Sequence, residues 1–197
     1  RRSSDLSDCL AYIGTLYEAG ADALIIQDLG LMNCVKHTYP DFELHASTQM
    51  HIHNRDGLKQ LKRWGIQRGV LARETPLERI KELSDEGIDL EVFVYGAYCV
   101  SYSGQCLMSS SIGHRSGNRG ECAQSCRLPY QLIRESKGKH TVLDTQGKYL
   151  LSPKDLNTLS IVDELIEAGM HSFKIEGRMK RPEYVGLVTS LYREAID

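Results

Sequence analysis

The sequence predicts an α/β chain: a partial, TIM-like (β/α) barrel, truncated at both ends, with a Cys-rich insertion. Three observations predict it. A helical stretch closed by glycine and followed by a short apolar run recurs four times. Polar residues gather where those apolar runs end, which is where a barrel places its chemistry. No G-x-G-x-x-G or P-loop follows any run, so the strongest mark of a nucleotide-binding, doubly wound sheet is missing.

The units, in order, are LAYIGTLYEAG before ADALIIQ, GLKQLKRWG before IQRGVLA, LERIKELSDEG before IDLEVFVYG, and IVDELIEAG before MHSFKIEG. Gly20, Gly65, Gly87 and Gly169 fall at the helix C-caps, where a left-handed residue ends the helix and glycine meets no Cβ clash. Strands alternating with helices need crossover connections and build a parallel sheet. The chain begins inside one such unit and stops at a helix, EYVGLVTSLYREAI, that should feed another strand, whereas a whole barrel takes about 250 residues. Residues 1–98 and 154–197 are accordingly assigned to barrel units. Residues 99–153, with a QLIRES strand candidate and a polar turn at 137–140, form the insertion.

The 197 residues are 41% hydrophobic and 25% charged, which suits a globular chain with a real core. No apolar run approaches the roughly 20 residues of a membrane span. The opening RRSSDLSDCL lacks the apolar core of a signal peptide. The expectation is a cytoplasmic protein without a membrane partner, whose thiols are free or bind metal. The net charge is -2, but its distribution is uneven. Residues 115–140 and 173–181 together carry +7 and the remainder -9. The bland account is a solvated face; the sharper one is an anionic partner such as phosphate or RNA.

Four of the six cysteines lie within CVSYSGQCLMSSSIGHRSGNRGECAQSC, as Cys99, Cys106, Cys122 and Cys126. Between Cys106 and Cys122 lies a run of Ser, Gly, Asn and Arg with little that could build a core. Four thiolates suit one tetrahedral metal or one iron–sulfur cluster. Structural zinc favours paired ligands with two to four residues between them. The Cys122–Cys126 pair fits that spacing and the Cys99–Cys106 pair does not, while a cluster spreads its ligands further apart. A catalytic thiol is the other chemistry on offer, with His114 and the arginines beside it, yet one nucleophile does not explain four thiols. Cys9 and Cys34 sit in helical or apolar contexts and read as ordinary thiols.

EVFVYGAYCVSYSGQCLMS closely resembles the signature of peptidase family U32, the collagenase-like family. Glu91, Phe93, Gly96, Ala97, Cys99, Gly104, Cys106, Met108 and Ser109 match it, and Tyr98 departs from its usual aliphatic. The resemblance continues through RSGNRGECAQSCR, LSPKDL and SFKIEGRMKRPEYV, and so covers nearly the whole chain. It implies either a protease or an oxygen-independent hydroxylase acting on tRNA, ribosomal RNA or the ubiquinone ring. The hydroxylases of this kind resemble [4Fe–4S] proteins, and those acting on RNA depend on prephenate for the hydroxyl oxygen. No nucleophile–base arrangement and no H-E-x-x-H helix is visible in the sequence, whereas clustered thiols beside a basic field suit a redox cluster near RNA.

The expectation is therefore an iron–sulfur RNA hydroxylase, acting on the tRNA wobble uridine ahead of rRNA, with prephenate as co-substrate; a partner subunit from the same family is a further candidate. A collagenase-like peptidase is the alternative, and a non-catalytic subunit with a structural zinc or cluster the third. Cys99, Cys106, Cys122 and Cys126 are the expected ligands. In several relatives a cysteine follows the SPKDL motif, and Asn157 stands there in this chain. Both a fourth ligand at Cys126 and a cluster held by three cysteines stay open. Arg115, Asn118, Arg119, Arg127, Lys154 and Gln49 are candidates for binding phosphate or the prephenate carboxylates, because arginine meets such groups in bidentate fashion. Asp155, Glu176, Arg178, Lys180 and His45 are candidates for acid–base or substrate contact at strand ends. The alternatives are surface arginines, an ion-pair network and a structural histidine.

Overall fold

The computed structural model describes residues 3–178 and 180–197. In chain order the elements are α1 (Ser3–Glu18), β1 (Ala23–Ile26), α2 (Leu29–Thr38), β2 (Glu43–Ala46), α3 (Arg55–Arg63), β3 (Arg68–Val70), α4 (Leu77–Leu83), β4 (Asp89–Gly96), α5 (Met108–Gly113), β5 (Ile133–Ser136), β6 (Lys139–Val142), β7 (Leu156–Asn157), α6 (Val162–Glu167), β8 (Ser172–Glu176) and α7 (Pro182–Ile196). The four helix–glycine–strand units are present, and Gly20, Gly65, Gly87 and Gly169 have φ between 64° and 81°. A fifth unit, α2 with β2, lacks the glycine signal. Asp28 caps its start by accepting from the Leu31 amide at 2.8 Å. Its stop is Tyr39, which leaves helical geometry at φ -132°, ψ 75°, as expected of the residue before a proline.

Strands β1, β2, β3 and β4 pair in parallel and in sequence, and β8 adds to β4 in parallel. Sequential order with right-handed crossovers puts the connecting helices on one face. A doubly wound sheet would instead reverse its order part-way. The result is a curled half-barrel. Its core lies between sheet and helices, where Val35, Leu44, Leu58, Leu61, Leu83, Val94 and Met170 are almost wholly buried.

Two features of β4 prepare the site. The register against β8 slips between Phe93 and Tyr95. There the Val94 carbonyl accepts instead from the Tyr192 hydroxyl at 2.7 Å and from the Thr158 amide and hydroxyl, both at 3.1 Å. Bulges re-aim a strand end, and this one directs Ala97–Cys99. The strand also closes tightly on β8: a Cβ on Gly96 (φ 113°) would lie 2.3 Å from the Glu176 carbonyl oxygen.

Between β4 and β7 the chain forms the short α5 and a two-stranded hairpin, β5–β6, all of whose strand residues are exposed. The polar turn is shorter than the sequence suggests. Lys137 and Gly138 alone turn, at φ 49° and 74°, and Lys139 already begins β6, because two left-handed residues suffice for a hairpin that matches strand twist.

Candidate functional site

The site is built by loops at the ends of β2, β3, β4 and β8. The first loop out of β4, Cys99–Cys106, is pinned by Ser103, which is 1% exposed. Its amide and hydroxyl donate to the two carboxylate oxygens of Glu74 at 3.0 and 2.9 Å, and its hydroxyl accepts from the Arg73 amide at 3.0 Å. Burial works to raise the Glu74 carboxyl, yet those Ser103 hydrogen bonds and His51 hold it below the ordinary value. The loop then packs so closely on the segment after β2 that a Cβ on Gly104 would lie 2.0 Å from the Gln49 carbonyl oxygen. Asn118 donates to the Gly104 carbonyl at 3.1 Å, and Gln49 to the Gly117 carbonyl at 2.8 Å. These contacts fold the polar filler back over the first loop.

The consequence is one cavity of about 150 Å³ lined by all four clustered cysteines together with Gln49, Asn118, Arg127, Glu176 and Arg178. Cys99, Cys106 and Cys126 are half-buried and Cys122 is exposed; all are free thiols. Burial pushes the Cys126 thiol up, and Cys99, Cys122 and Cys106 add to that while Arg127 opposes it. The other three thiols thus stand within electrostatic reach of Cys126. Among the described residues, no three His, Cys, Asp or Glu side chains gather as tightly as a single bound ion requires. Four thiols around one cavity supply the ligand number that one tetrahedral ion or one iron–sulfur cluster takes.

A second cavity, of about 260 Å³, shares Ala97, Gln124, Arg127 and Glu176 with the first and adds Asp155 and Lys180. Lys180 pairs with Asp155 at 3.4 Å. Five predicted polar residues on β8 and the loops (Glu176, Arg178, Lys180, Asp155 and Arg127) therefore meet beside the thiols. Arg127 already has acceptors: Ser152 Oγ and the Tyr98 carbonyl, both at 2.7 Å, and the Pro153 carbonyl. It clamps the wall between the two cavities.

Other predicted residues lie elsewhere. His45 is buried within β2 against Glu43 at 2.7 Å and lines neither cavity. Arg119 pairs with Asp5 at 3.6 Å. Arg115 and Lys154 are exposed and line neither cavity. Asn157 bonds the Leu159 amide at 3.0 Å and is not a cavity residue, whereas Cys126 is. Met179, within the KIEGRMKRP run, is outside the described residues.

Sequence reasoning did not anticipate the Glu91 network. Glu91 on β4 accepts from Lys174 at 2.9 Å and Ser172 at 2.8 Å, with Arg68 at 3.9 Å. Burial works to raise its carboxyl, but Lys174, then Ser172 and Arg68, hold it below the ordinary value. A charged residue inside an otherwise apolar strand run was the available signal.

The family model described as peptidase family U32 matches residues 1–197. The chain belongs to peptidase family U32. Members similar to it carry names of different kinds. The 23S rRNA 5-hydroxycytidine C2501 synthase of Escherichia coli is 42% identical over 98% of this chain and 29% of its own length. The tRNA hydroxylation protein P1 of Bacillus subtilis is 37% identical over 94% of the chain and 45% of its own length. A collagenase of Porphyromonas gingivalis is 33% identical over 98% and 48%. The chain thus spans between 29% and 48% of the length of these U32 relatives. Among the described residues, no helix is long and apolar enough to cross a membrane.

Proposed function

We propose that this U32 chain carries the cluster-binding half-barrel of an oxygen-independent RNA hydroxylase. One observation carries the reading: four thiols converge on a single cavity whose lining also includes Arg73, Arg127 and Arg178, in a chain resembling proteins named for rRNA and tRNA hydroxylation. Cys99, Cys106, Cys122 and Cys126 would hold a [4Fe–4S] cluster, which when bound supplies one-electron chemistry at the cavity. Prephenate is the proposed oxygen source and tRNA or rRNA the substrate.

The chain's own residues have the simpler tasks. Arg178, at the cavity wall, meets phosphate or carboxylate oxygens. Lys180 and Asp155 fix each other and shape the second cavity. Glu176 stands between the two cavities and presents an acceptor to a substrate hydroxyl or ring N–H. Gln49 and Asn118 keep the loops closed, which limits water at the thiols.

The test is anaerobic purification of the full-length protein with iron and sulfide analysis, together with nucleoside mass spectrometry of tRNA and rRNA from a deletion strain. Iron and sulfide in equal amounts and a lost hydroxylated pyrimidine support the reading. Zinc without sulfide, or unchanged RNA, overturns it. The collagenase-named relative supports a peptidase as the second reading. Neither cavity is lined by histidine, and gelatin cleavage that survives replacement of all four cysteines would favour that reading.

A further inference from the structure

The residues beyond β2 and within the first cysteine loop form a column of rings that the reading above does not use. His51 lies against His53, tilted by 35°, with centroids 4.6 Å apart. On Tyr102 it stacks at 5.7 Å and 27°. Tyr102 lines the cysteine cavity and is nevertheless 66% exposed. A large aromatic so exposed at the rim of a cavity needs a reason, since the chain could have placed a polar residue there.

The column is held in place. His51 adopts the left-handed conformation, φ 58°, which is uncommon for a residue with a Cβ and is kept where surroundings impose it. Its Nε2 lies 3.1 Å from Glu74 Oε1, and Glu74 also holds Ser103, the neighbour of Tyr102. One carboxylate therefore fixes both the ring beneath and the loop that carries the ring above. The ordinary account is an aromatic cluster that shields part of the core. That account does not fit, because His53 and Tyr102 are both exposed.

We infer that Tyr102 is a stacking platform for a nucleobase, receiving an unpaired base of the RNA at the rim of the cysteine cavity with His51 and His53 as its support. This deepens the RNA reading and rests on it. Single-stranded bases are bound by splaying onto aromatic faces, and enzymes that modify a base take it out of its stack. A platform beside the thiols would hold that base next to the site of chemistry.

The test uses the full-length protein and two probes: an RNA stem-loop with pyrrolo-cytidine in its loop, and a fully paired duplex of equal length. Wild type is expected to quench the loop fluorophore. Tyr102→Ala should weaken loop binding by about ten-fold, the scale of one stacked base, and abolish the quenching. Tyr102→Phe and Tyr102→Trp should retain both, and duplex binding should not change. Tyr102→Leu keeps apolar bulk without a ring, so its loss of quenching with unchanged circular dichroism separates stacking from misfolding. Wild-type affinity and quenching in both Tyr102→Ala and Tyr102→Leu overturn the platform alone. A Tyr102→Phe variant as weak as Tyr102→Ala also overturns it, in favour of a hydroxyl contact. A wild-type protein that binds neither probe overturns the RNA reading and the platform with it.

Discussion

Glu74 and Ser103, 29 residues apart, meet through two hydrogen bonds of 3.0 and 2.9 Å, one for each carboxylate oxygen. This contact fastens the Cys99–Cys106 loop to the end of β3. Glu74→Ala leaves the Ser103 amide and hydroxyl without that acceptor, at a cost of about 1–3 kcal/mol. The loop should then lose hydrogen-exchange protection while β1 and β2 keep theirs. Equal protection in wild type and variant would show that the loop holds itself.

The ligand set has a direct check. Cys126 lines the thiol cavity and Asn157 does not. Cys126→Ser should lose most of the iron and sulfide recovered anaerobically, and Asn157→Ala should keep it. The opposite pattern would return the fourth position to the loop after the SPKDL motif.

Stability should fall on the acid side through Glu91. Its carboxyl is held below the ordinary value, so the folded state binds that proton less readily than the unfolded chain. The contribution is full above the unfolded carboxyl's pKa, about 4.3, and is lost as pH falls through the lower folded one. Glu91→Gln should cost about 1–3 kcal/mol at neutral pH and flatten the acid limb. Denaturant titrations at several pH values measure both; an acid limb unchanged in Glu91→Gln would assign it to other carboxylates.

Gly104 leaves no room for a side chain. Gly104→Ala puts a Cβ 2.0 Å from the Gln49 carbonyl at φ 75°. Strain and overpacking together should cost about 2–4 kcal/mol. Gly138→Ala, with open space around it, should cost less. Melting temperatures of the two variants test the ranking.

The reading of the sequence succeeded where neighbours along the chain act together. Helix periodicity, a glycine at the C-cap and the apolar run after it are properties of about twenty contiguous residues, and these four units appear as predicted. The α2–β2 unit escaped because proline, not glycine, follows its last turn. The cysteine cluster was legible because it is local. His45 was drawn to the site by its motif, yet it packs inside β2 against Glu43. Arg127 was read as a substrate ligand from its charge, and its donors turn out to meet Ser152, Pro153 and Tyr98.

Composition and spacing were thus enough for the helix–strand units and for a thiol-rich segment unable to pack on its own. The cavity was not visible there, because its walls come from loops after four different strands. Glu91 meets Lys174 across 83 residues, and Gly104 meets Gln49 across a gap that no periodicity marks. Such contacts depend on strand order and register, which arise from packing the helices of the βα units against the sheet at once.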